Sequence, residues 1–226
     1  MRSALLIAGL LLAMTAHAQP PERIESTLGK APPAGAVVLF DGQDASAWVT
    51  RRGAQPCPWQ VGDGWMQVRG GDIVTQRRFS DFALHVEFWL PLMPDARGQA
   101  RANSGVYLQG RYEVQVLDSF GIEAPKNDDC GAIYEAHPPR VNACAPPETW
   151  QTYDITYRAP RYDAEGNRTE PPRVTVYQNG ILIHENAAVP GPTRAGLSDN
   201  LDQPGPILLQ DHGNPVRYRN VWLVEK

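Results

Sequence analysis

Prolines constrain this chain more than any other residue type. There are 21 of them in 226 residues, with 20 glycines beside them, and they recur along the whole length. A proline inside a helix removes a hydrogen bond and costs about 3 kcal/mol, so breakers at this density exclude helix bundles and coiled coils. Short apolar runs ended by turn signals remain. Residues 37–40 stop at Asp41-Gly42, Trp59-Gln60-Val61 and residues 65–69 flank Gly62-Asp63-Gly64, and residues 173–178 reach Asn179-Gly180. Asn-Gly between two β-rich runs is the strongest short hairpin signal. In residues 82–90, Phe82, Leu84, Val86 and Phe88 fall on one face of an alternating strand, and His85 and Glu87 on the other. Ten to twelve such strands, no internal repeat and no run suited to a three-turn helix predict an all-β fold: an antiparallel β-sandwich, specifically a jelly roll of the concanavalin/glucanase-like kind.

The beginning of the chain reads differently. Arg2, an apolar run over residues 4–14 and Ala16-His17-Ala18 make a secretory signal peptide over residues 1–18. The apolar run is well short of the roughly 20 residues a membrane span needs. Residues 19–35 then form an exposed N-terminal lead-in, and 36–226 a single jelly-roll domain. The protein is accordingly expected to be exported, periplasmic or secreted, with no membrane span. A net charge of −4 without a basic patch excludes nucleic acid as a partner. Of the three cysteines, Cys130 and Cys144 bracket a proline-rich loop and are the better candidates for a disulfide, while Cys57 sits between Pro56 and Pro58. Closing a loop of about 15 residues adds about 3 kcal/mol where geometry allows.

Polar residues at spacing two share a sheet face. Arg111, Glu113 and Gln115 form one such set, as do Asn103, Gly105, Tyr107 and Gln109, and near the end Gln210 and His212. Glu113 is the first candidate for a catalytic or metal-binding group, because a solubilising charge is better placed near a turn; the alternative is an ion pair with Arg111 on the same face. The amides of Asn103, Gln109, Gln115 and Gln210 suit ligand hydroxyls, since each offers donors and acceptors, and Tyr107 shares their face. His212 can act as a base, an acid, or a metal ligand with Glu113, a free imidazole titrating near neutrality; the alternative is a hydrogen bond inside its own turn. Arg219 can hold a developing oxyanion or pair with a carboxylate. Glu113 and His212 leave a divalent metal ion as the one cofactor to consider.

Several stretches, taken in order, resemble the 3-keto-disaccharide hydrolase family, formerly a domain of unknown function. They are residues 39–42 with Trp48, 103–108, 112–118, 131–134, 150–155, Asn179-Gly180, 205–213 and 219–222. The resemblance spans about residues 36–225 and implies a concanavalin-like jelly roll. It also implies a carbohydrate substrate, a glycoside oxidised to a ketone at C3. A C3 ketone acidifies the C2 proton, so a base can form an enolate, the C1 substituent leaves, and water adds to the enone. Such a site needs a base, a stabiliser for the enolate oxygen and a proton donor, and a metal ion can serve as the stabiliser. A non-catalytic carbohydrate-binding jelly roll is the main alternative. A two-carboxylate glycosidase ranks below both, because it needs paired acids and Glu113 is the only inward carboxylate that the pattern offers.

Overall fold

A computed structural model of the protein describes residues 20–226 apart from Asp199, so the expected signal peptide lies outside the described residues. Strands follow the alternating runs. They are β1 (Val37–Phe40), β2 (Trp48–Thr50), β3 (Gln60–Gly62), β4 (Trp65–Gln67), β5 (Ile73–Thr75), β6 (Phe82–Trp89), β7 (Ser104–Leu108) and β8 (Tyr112–Val116). After the long loop come β9 (Trp150–Arg158), β10 (Arg161–Tyr162), β11 (Arg168–Glu170), β12 (Arg173–Gln178), β13 (Ile181–Ala188), β14 (Leu208–Leu209) and β15 (Arg217–Glu225). Among the described residues, the one helical segment is a single 3₁₀ turn at Gly98–Ala100. No described helix is long and apolar enough to cross a membrane.

All strand pairs are antiparallel, and they make the expected sandwich. One sheet runs β13-β12-β9-β6-β15-β4-β3, with β1 added along β15; the other runs β2-β5-β14-β7-β8. Inward residues of the larger sheet (Phe82, Leu84, Val86 and Phe88 from β6, Tyr153, Ile155 and Tyr157 from β9) meet Val106, Leu108, Val114, Val116 and Leu209 from the smaller one. Each such side chain contributes about 1.5–3 kcal/mol on burial. The strand count exceeds the expected ten to twelve because pairings two or three residues long, such as β10 with β11, carry too little pattern to read.

Two features bear on function. Residues 22–30 cross the outer face of the larger sheet. The Ile24 amide bonds Gly180 O at 2.8 Å, and the Leu182 amide bonds Glu22 O at 2.9 Å. Further along, Thr27 Oγ1 donates to Asp154 at 2.5 Å, the Gly29 amide donates to Glu87 Oε1 at 2.6 Å, and Asn220 Nδ2 bonds Lys30 O at 2.9 Å. The second feature is a correction. The disulfide expected between Cys130 and Cys144 is not formed, and all three cysteines are free thiols. Cys130 and Cys144 are both buried, and their thiols influence each other electrostatically. Each sulfur also has a further polar partner: Tyr153 OH lies 3.3 Å from Cys130 Sγ, and Leu117 O lies 3.6 Å from Cys144 Sγ.

Candidate active site

Because the inward residues of β7 and β8 pack into the core, their alternate residues point the other way, beneath the loops around Tyr134 and Arg194, where the segment after β14 joins them. There they enclose a cavity of about 200 Å³ lined by Gln99, Asn103, Tyr107, Glu113, Gln115, Tyr134, Arg194, Ala195, Gln210 and His212. Register decides who meets whom. Tyr107 on β7 is opposite Glu113 on β8, Gly105 is opposite Gln115, and the Gln210 amide bonds Gly105 O at 3.0 Å. The Glu113 carboxyl leans across Gly105, where any Cβ would collide with its Oε1. Glycine at 105 is what lets a glutamate side chain lie flat on the sheet.

Glu113 is 3 % exposed. Its Oε2 accepts the Tyr107 hydroxyl at 2.8 Å, and that hydroxyl in turn accepts Gln210 Nε2 at 3.0 Å. Among the described residues no cation pairs with it. Burial pushes the carboxyl up to about 8, helped by the charges of Asp72 and Glu135 and only partly opposed by the Tyr107 hydrogen bond. At neutral pH Glu113 is therefore mainly the uncharged acid, a hydrogen-bond donor at the floor of an open cavity. Burial pushes the Tyr107 phenol far up as well, so it remains a donor.

Amides form much of the remaining wall. Asn103 Nδ2 donates to Gln99 O at 2.7 Å and to Gln99 Oε1 at 3.0 Å. Gln115 Nε2 donates to the same Gln99 Oε1 at 3.0 Å, while Gln115 Oε1 accepts the Val116 amide. Gln115 thus lines the cavity with both amide ends already engaged. His212 stands exposed at the rim. Arg194, on the opposite loop, faces Glu135 at 3.5 Å. Glu113 is the single carboxylate among the described lining residues, so the paired acids of a conventional glycosidase are not assembled here. Glu113 and His212 share the cavity, but among the described residues no group of three or more His, Cys, Asp or Glu stands ready for a metal ion, and a catalytic zinc takes three protein ligands.

Six expected residues (Asn103, Tyr107, Glu113, Gln115, Gln210 and His212) are brought together. Two are not. Gln109 is displaced because the strand ends at Leu108 and Gln109 adopts a left-handed φ of 52°, which breaks the alternation. Its amide then bonds Phe79 O and receives Arg111 and Tyr157 OH. Arg111 likewise turns to the carbonyls of Gln203 and Asn200 and not to Glu113. Arg219 lies on the far side of the molecule, on the outer face of the larger sheet, where it bonds Glu87 Oε2 at 2.7 Å and stacks over Trp150. Gln99 and Arg194 went unnoticed in the sequence because they come from loops without pattern. None of the six tryptophans lines the cavity; Tyr107 and Tyr134 supply its aromatic surface.

Residues 35–224 match the model of the 3-keto-alpha-glucoside-1,2-lyase-like domain. A solved structure from Parabacteroides distasonis ATCC 8503, provisionally named a glycosyl hydrolase, is 34 % identical over 97 % of this chain and 98 % of its own, with a TM-score of 0.80. Two further structures from that organism, provisionally named in the same way, share the fold. One is 22 % identical with a TM-score of 0.63, covering 85 % of this chain and 94 % of its own. The other is 19 % identical with a TM-score of 0.57, covering 84 % and 99 %. No curated protein matches the chain. The likeness supports a carbohydrate-related, hydrolase-like role.

Proposed function

The chain belongs to the 3-keto-alpha-glucoside-1,2-lyase-like domain family, and from that premise we propose that it is an exported enzyme that cleaves glycosides oxidised to a ketone at C3. The observation that carries this reading is Glu113: a buried carboxyl without a cation, uncharged at neutral pH, presented to a cavity with an imidazole at its rim. An uncharged acid is suited to donating a hydrogen bond to an oxygen that gains charge, and it costs no reorganisation at the moment of reaction. In this mechanism His212 removes the C2 proton, and the electron pair moves toward the C3 oxygen, held by the Glu113 O–H. The C1–O bond then breaks as C1=C2 forms, and the departing oxygen takes up a proton. Water adds back across C1=C2, its hydroxyl to C1 and a proton to C2, for net hydrolysis. The cavity volume of about 200 Å³ suits one sugar ring, which leaves the group attached at C1 outside it.

The test is turnover by the purified protein of a 3-keto-disaccharide beside its unoxidised parent, followed by monosaccharide release, with and without a chelator. The ketone form is expected to be cleaved and the parent untouched. Glu113→Gln and His212→Ala are each expected to lower the rate by about a hundredfold or more, with circular dichroism unchanged. Equal cleavage of both sugars, or undiminished rates in both variants, overturns the proposal. Binding of the ketone form without any turnover assigns the cavity to the carbohydrate-binding alternative. Loss of turnover on chelation, restored by a divalent cation, adds a metal to the mechanism.

A further inference from the structure

Two of the side chains that line the cavity carry a buried acceptor with nothing to accept among the described residues. Asn103 Oδ1 and Gln210 Oε1 are both shielded from solvent and have no hydrogen-bond partner. Buried polar atoms of this kind are rare in native proteins. The Asn103 orientation is fixed by the other end of its amide: Nδ2 is tied to both oxygens of Gln99, and a flip would set oxygen against oxygen there. Gln210 Nε2 donates to the Tyr107 hydroxyl, which leaves its Oε1 free. Both side chains line the same cavity as Glu113, and the strand register places them around it. Gln210 is joined to β7 at Gly105, beneath the Glu113 carboxyl, and Asn103 stands immediately before β7, two residues from Gly105.

We infer that Asn103 Oδ1 and Gln210 Oε1 receive two hydroxyl hydrogens of the substrate ring, one on each side of a carbonyl oxygen that faces Glu113. This assignment rests on the reaction proposed above and specifies how its substrate is recognised. The wall then offers acceptor, donor, acceptor, which complements hydroxyl, ketone, hydroxyl: the groups on C2, C3 and C4 of a 3-keto-glycoside. A hydroxyl can supply the missing hydrogen and a ketone oxygen cannot, so the two amides hold the ring in the one orientation that sets its carbonyl at the carboxyl. Sites built to bond a hydroxyl reject the analogue that lacks it far more strongly than apolar pockets reject a missing methylene, because the buried polar group is then left unpaired.

A 3-keto-glycoside and its 4-deoxy counterpart distinguish this role from a merely structural one. Wild-type protein is expected to process the 4-deoxy compound at least about thirtyfold less well in kcat/KM. Asn103→Ala and Gln210→Ala should each weaken the parent substrate, and in one of the two the 4-deoxy compound should suffer no further loss, identifying the residue that meets the C4 hydroxyl. Calorimetric binding of both compounds is read alongside, and thermal melts confirm that the variants fold. The inference is overturned if both variants still discriminate against the 4-deoxy compound as strongly as wild type, or if wild type does not discriminate at all. A wild type that binds and discriminates without turnover keeps the hydroxyl contacts and removes only the catalytic reading. A wild type that neither binds nor cleaves the parent overturns both.

Discussion

Two buried glutamates, one on each side of the sandwich, show how environment sets the behaviour of one residue type. Glu87 on β6 and Glu113 on β8 both alternate away from the core, and both are almost inaccessible, at 0 % and 3 % exposed. Burial raises both carboxyls, yet they end at opposite extremes. At Glu87 the effect of burial is outweighed by hydrogen bonds from His85, Asn220, Arg219 and the Gly29 amide, which hold it down at about 2. At Glu113 one phenol is the only such partner among the described residues, and the carboxyl rises to about 8. Glu87 is a saturated, permanently charged anchor for the N-terminal strap, and His85 beside it is raised by Asp154 and Glu87 in spite of its burial. Glu113 keeps spare hydrogen-bonding capacity directed at a cavity. A saturated anion stabilises the fold; an unsaturated acid is available for chemistry.

The largest expected effect comes from titrating the unsaturated member. Its native carboxyl sits near 8 against an ordinary value of 4.5, so between those pH values the folded state holds a proton that the unfolded state has released. Stability should therefore fall as pH rises through that window, by as much as about 5 kcal/mol from this group alone. Denaturant unfolding at pH 5 and pH 8 is expected to show that decline in wild type and to lose it in Glu113→Gln. The same slope in both would mean that Glu113 is already ionised.

Next in size is the loss of the saturated member. Glu87→Ala strands Arg219 and His85 beneath the strap and should cost about 3 kcal/mol at pH 7, seen as a lower Tm. The kcat/KM on the 3-keto substrate should stay within about twofold. Because Glu87 is held down, its stabilisation is complete above pH 4.5 and is lost as pH falls toward 2, so the gap between wild type and variant should close in acid. A variant that loses turnover while keeping its Tm would reverse the two roles. The smallest effect is expected from Arg219→Ala, which removes the bond to Glu87 and the stacking on Trp150. About 1 kcal/mol of stability should go, with KM unaltered. A KM raised tenfold would return Arg219 to the substrate site.

What could be read from the sequence was parity and architecture. Period-two alternation places Glu113 with Gln115 and Asn103 with Tyr107, because Cβ direction depends only on position along an extended backbone, whereas Gln210 and His212 meet the same cavity from the irregular segment after β14. Turn residues then set antiparallel pairing, and together these specify the sandwich. Parity failed where regularity failed, at the left-handed Gln109. It was also silent on which outward face becomes a cavity and which is covered. Glu87 and Glu113 both alternate away from the core in their own strands. Only the assembled molecule brings residues 22–30 over one of them and the loops around Tyr134 and Arg194 around the other. These contacts join positions as far apart as Asn220 and Lys30. Long-range closure of that kind leaves no local pattern, so the partners that lower one carboxyl and leave the other raised were decided by tertiary structure alone.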